Sequence, residues 1–142
     1  MARRLQLVTH RWLDGYRVEV PDYWDDLQPE MVHGAYNGCG PDWFPGWLRW
    51  GLTWLSSFPV PTMVHDLEWA YDKSWPSLSA SNIRWWRNCG SVIRRSLADL
   101  PPDLAIVAGI NWHLRRIVYT LAVWAGAIMV TMARRLAGLH TR

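Results

Sequence analysis

From Ile117 to Ala133 the chain carries no charged residue, and an arginine pair closes each end, Arg115-Arg116 before it and Arg134-Arg135 after it. A run of this kind is a helix whose surface must be covered. At 1.5 Å per residue it is about 25 Å long, the short edge of what crosses a bilayer. Three outcomes fit: a membrane span, a helix that assembles with copies of itself or with partners, or a buried core helix. The flanks are equally positive, so orientation in a membrane is unreadable. Leu104 to Ile110 adds a second apolar piece. One long helix from Asp103 to about Gly138 can carry both.

Half of the residues are hydrophobic, enough for a true core, and the formal charge is +3. The length of 142 residues allows one domain, or one domain with an appendage. The expected division is a domain over 1–100 and an apolar helix over 101–142, serving as membrane anchor or assembly element. There are 12 tryptophans. Tryptophan favours places with one apolar and one wet side, such as membrane and protein interfaces. Of the two cysteines, Cys39 and Cys89, free thiols are expected, though they could pair. Met1-Ala-Arg-Arg4 is basic but no apolar stretch follows, so no signal peptide is visible.

The fold expected is mainly α, with an N-terminal β-hairpin, a glycine-rich loop, three helices and the long C-terminal helix. Asp14-Gly15 sits between two alternating runs, a hairpin signature. Pro45 suits the first turn of a helix over 45–57. Trp43, just before it, and Trp47, Trp50 and Trp54 recur at helical spacing, so the segment is either core or an interfacial surface. A second helix is predicted over 61–74, ended by Trp75-Pro76. Ser77 to Ser81 reads as a polar linker. Ser81 then caps a third helix to about Ala98, with Ile83, Trp86, Ile93 and Leu97 as its apolar face.

Two short pieces carry possible chemistry. Tyr36-Asn37-Gly38-Cys39-Gly40 is a glycine-paired loop, and His65-Asp66 lies within the second helix. Backbone carbonyls turned inward beside a carboxylate make a site for a hard cation. A histidine next to that carboxylate can act as general base. Each piece alone has a plainer meaning: the glycines make a tight turn, and the dipeptide is solvated or locally bonded. His10, His33, His113 and His140 show no metal-ligand spacing. Cys39 has neither a second cysteine nor a histidine at zinc or nucleophile spacing.

The order Tyr-x-Gly-x-Gly, then a helix with His-Asp, resembles the phospholipase A2 superfamily from Tyr36 to about Tyr71. It is closer to the compact forms of parvovirus capsid proteins than to disulfide-rich secreted enzymes. It also looks like small tailed-phage proteins that join a hairpin, a His-Asp-x-x-aromatic helix and a further helix. The resemblance implies that Tyr36, Gly38 and Gly40 offer carbonyls to Ca²⁺, that Asp66 adds its carboxylate, and that His65 activates water. The family's orienting aspartate falls at Asn82, an amide without charge. Asp72, two turns from His65, is a possible substitute. The spacing from loop to histidine is longer than in the family, and Trp69 replaces a tyrosine.

Two functions follow from the resemblance. One is a calcium-dependent phospholipid ester hydrolase acting at a membrane, with the tryptophans docking on lipid. The other is a structural phage virion protein with a degenerate site, assembling with virion proteins or as a homo-oligomer. The implied location is a virion or a host cell membrane. Arg84-Trp85-Trp86-Arg87 mixes cations with aromatics as single-strand binders do, but the basic excess is small, so nucleic acid is not expected as a partner.

Overall fold

The computed structural model describes residues 8–28, 30–31, 45–47, 51, 58–71 and 73–138. The protein is mainly helical, with an N-terminal two-stranded antiparallel hairpin and a long apolar C-terminal helix. Strands β1 (Val8–Leu13) and β2 (Tyr16–Pro21) pair with Leu13 opposite Tyr16. The turn residues Asp14 and Gly15 both have positive φ, 49° and 79°. That is the backbone the Asp-Gly pair is suited to adopt. A 3₁₀ turn, Asp22–Asp26, follows, and Arg11 of β1 ties it down through Asp25. The helices are α1 (Pro59–Tyr71), α2 (Trp75–Leu97) and α3 (Pro102–Leu136).

Alternation along β2 sends Val18 and Val20 inward, where they meet Val60 and Val64 of α1. A second cluster joins Phe58 to Trp85, Cys89, Val92 and Ile93 of α2 and to Tyr119 and Val123 of α3. Trp85 is its centre. It stacks on Tyr119 at 4.8 Å between ring centroids and meets Phe58 edge-on at 6.0 Å. The helix beyond residue 100 thus shares this core.

Helix α2 holds the hairpin by polar contacts. The Asn88 side chain accepts from the Glu19 amide at 2.7 Å and donates to the Glu19 carbonyl at 2.8 Å. Ser91 Oγ donates to the Arg17 carbonyl at 2.8 Å. The outer edge of β2 would otherwise leave these backbone groups unpaired.

Three expectations change. The polar linker over Ser77 to Ser81 does not exist, and α2 begins at Trp75 rather than Ser81. Pro76 stands in the first turn, where its missing N–H costs nothing, so Trp75-Pro76 starts a helix instead of only ending one. The second helix runs from Pro59 to Tyr71, not 61–74. The buried face of α2 is also rotated from the expected one. Of the expected face, Ile93 is buried and Leu97 packs on the core, but Ile83 and Trp86 are exposed, and Leu78, Trp85 and Cys89 are buried in their stead. Ser81, Asn82, Arg84 and Asn88 point inward with them, which hid the true face from a hydrophobic pattern. Most of the Trp-rich segment over 45–57 lies outside the described residues.

Candidate functional site

His65 sits in the second turn of α1, on the same face as Val60, Val64 and Glu68. The ring is buried, 4% exposed. Its Nε2 lies 2.9 Å from Asn82 Oδ1 of α2. The other end of that amide, Nδ2, lies 3.5 Å from the Val123 carbonyl of α3. A carbonyl takes only a donor, so Nδ2 is assigned toward Val123 and Oδ1 toward the imidazole. In the neutral ring this orientation puts the proton on Nε2 and the lone pair on Nδ1. Residues of three helices thus meet at the imidazole and its amide partner. Trp69, one turn on, lies with its ring 5.0 Å from the imidazole, and its far edge reaches Gly126 of α3.

Nδ1 faces Asp66 Oδ1 at 3.4 Å. Burial pushes the Asp66 carboxyl above its ordinary range. Asp66 Oδ2 is buried with no hydrogen-bond partner among the described residues. An ionised carboxylate with an unpaired buried oxygen is costly, and such an oxygen is suited to a hard cation. Among the described residues no group of three His, Cys, Asp or Glu could hold a metal by itself. Tyr36, Gly38 and Gly40, the expected carbonyl donors, lie outside the described residues, as does Asp72.

The raised Asp66 carboxyl has a consequence for stability. Unfolded, this group ionises at the ordinary value; folded, it holds its proton to higher pH. Stability is therefore lost as pH rises from the unfolded value through the folded one. Asp66→Asn should raise the urea midpoint at pH 7 and change it little at pH 3, where the wild-type carboxyl is protonated in both states. Equal midpoints at both pH values would show that Asp66 carries no burial penalty.

One buried feature escaped the sequence reading. Glu68 of α1 and Arg84 of α2 form an ion pair in which both side chains are nearly inaccessible. Glu68 Oε2 and Arg84 Nε have no partner among the described residues. The available signal was that Glu68 continues the Val60, Val64 and His65 stripe of α1, where a charge needs a partner. Cys89 is a free, buried thiol. Burial pushes its pKa far up, which suits a core residue rather than a nucleophile.

The outer surface of α3 is the other unusual region. Its most apolar stretch has a mean hydropathy of 1.5, and only 17% of it is buried. Gly109, Tyr119, Val123 and Ala127 face inward. Ile110, Leu114, Val118, Leu121, Ile128 and Met132 are exposed on the opposite side. Compared with known proteins, the chain matches no family model, no curated protein and no solved structure.

Proposed function

We propose that the protein is a calcium-dependent phospholipid ester hydrolase working against a lipid surface. The observation that carries this reading is the 2.9 Å contact between His65 Nε2 and Asn82 Oδ1. It leaves Nδ1 as the basic atom beside a carboxylate. In this mechanism His65 Nδ1 takes a proton from water as that water adds to the ester carbonyl. Asn82 holds the Nε2–H, so the ring does not turn or change tautomer. It has no charge to stabilise the imidazolium that forms, which makes this a slow version of the chemistry. Asp66 and the carbonyls of Tyr36, Gly38 and Gly40 would hold Ca²⁺, which when bound supplies positive charge for the developing oxyanion. Fatty-acid release from mixed phospholipid vesicles, with calcium and then with a chelator, tests the proposal. No release at millimolar calcium would overturn it.

The outer face of α3 supports contact with a membrane along the helix rather than through it. Crossing a bilayer in this fold would carry Asn82 and the Glu68–Arg84 pair of the packed helices into hydrocarbon, which is costly. Lying against the surface leaves them in the protein.

A second reading, a virion structural protein with a degenerate site, is favoured by the burial of His65 at 4% exposure and by the uncharged Asn82. In that case the outer face of α3 meets other subunits. Ala125 lies exposed on it, away from the core, so Ala125→Arg should leave folding intact and disrupt whatever this face contacts. At a bilayer centre an arginine costs about 2.5–3.5 kcal/mol; the cost is smaller at a surface. For the hydrolase, vesicle binding should fall while the protein stays monomeric. For the virion protein, a detergent-free oligomer should dissociate by sedimentation. A variant matching wild type in both assays would remove this face from either function.

A further inference from the structure

A groove of about 430 Å³ runs along the outer side of α2, walled by the hairpin on one side and by Arg116 of α3 on the other. It is separate from the His65 site: Arg116 lies two turns of α3 before Val123, the helix's contact with Asn82. Arg17, Arg87, Arg94 and Arg116 line it against a single carboxylate, Glu19. The Glu19 carboxylate pairs with Arg87, at 3.5 Å. Arg17 and Arg94 are exposed and have no ion-pair partner among the described residues.

Arg116 is held in place rather than free. Its guanidinium lies 3.4 Å from the centroid of the Trp86 ring, and Nη2 donates to the Trp86 carbonyl at 2.6 Å. Gly90 makes room for it, since a Cβ there would lie 3.0 Å from Nη2. Burial, and less strongly Arg94, push the Arg116 guanidinium down from its ordinary value. The four arginines lining the groove outnumber its one lining carboxylate.

We infer that this groove binds a phosphate group, with Arg116 as the fixed donor and Arg17 and Arg94 closing on it. Guanidinium forks match phosphate oxygens two at a time, and a rigid one loses little entropy on binding. The chemistry suits a free phosphate and the headgroup of an anionic phospholipid alike. It does not depend on hydrolysis at His65, and it can be read in chelator, where the hydrolase is silent.

The test uses the full chain and the variant Arg17→Gln/Arg94→Gln, whose changed residues are exposed and outside the core. Inorganic phosphate is titrated by calorimetry at constant ionic strength. Binding to phosphatidylcholine vesicles, with and without phosphatidylglycerol, is measured by flotation. The variant should bind at least about tenfold more weakly, the loss expected for two charge-assisted contacts. Arg17→Lys/Arg94→Lys should recover part of that loss, because charge returns without the fork. Phosphate binding with no added response to phosphatidylglycerol identifies a free phosphate. Phosphatidylglycerol-dependent flotation that the variant loses identifies a headgroup. Equal behaviour of wild type and variant toward both probes would overturn the inference. So would tight binding of a single-stranded oligonucleotide that inorganic phosphate does not displace, since the groove would then be a nucleic-acid surface.

Discussion

Replacing His65 by glutamine should lower calcium-dependent fatty-acid release by about 10²–10⁴-fold, the usual contribution of a general base. Glutamine keeps the size and a donor for Asn82, so far-UV circular dichroism and the urea midpoint should stay near wild type. The partner variant makes the test sharper. Asn82→Asp places a negative charge 2.9 Å from Nε2 in the wild-type geometry. It would stabilise the imidazolium that forms as Nδ1 accepts the proton, and should raise turnover by about tenfold or more. A gain at Asn82 with a loss at His65 is the pattern of a base and its orienter. Hydrolysis unchanged in His65→Gln would remove the histidine from the mechanism. Hydrolysis unchanged in Asn82→Asp would make the contact one of packing alone.

The hairpin was readable because Asp-Gly dictates its own turn and the flanking residues alternate. The long C-terminal helix was readable because no proline follows Pro102 and the run from Ile117 to Ala133 carries no charge. The start of α2 was not, because proline both ends one helix and begins the next, and only the tertiary position of Ser77 and Ser81 against the core decides which. Its inward face was misread for a related reason. Asn82, Arg84 and Asn88 are polar residues whose partners, His65, Glu68 and the Glu19 backbone, are distant in sequence. A hydrophobic pattern places such residues outside, while pairing brings them in. The pairing of His65 with Asn82 entered as an implication of a resemblance; periodicity alone would not have linked a residue of α1 to one of α2. The arginine groove stayed hidden because its walls come from β2, α2 and α3, and no local pattern joins Arg17 to Arg116.

The buried pair between α1 and α2 yields the largest stability effect. Glu68→Ala removes the carboxylate bonded to the buried Arg84 guanidinium and leaves only the influence of Glu19 and Asp22, and should cost about 3–5 kcal/mol. Total stability for a domain is about 5–15 kcal/mol, so the variant should lose a large share of its cooperative transition near room temperature. Arg84→Met alone should cost a similar amount, because it strands the carboxylate. The double variant Glu68→Met/Arg84→Met removes both charges and both desolvation penalties while keeping volume. It should recover most of the loss, with a urea midpoint near or above wild type. That recovery is what separates a pair held for orientation from one that adds net stability. The pair sits one turn beyond His65 on α1 and two residues beyond Asn82 on α2, so it also sets the spacing of those two helices. If spacing at the site is its role, the double variant should be stable yet release fatty acid more slowly. Single and double variants that are equally destabilised would show instead that the ion pair itself supplies the stability.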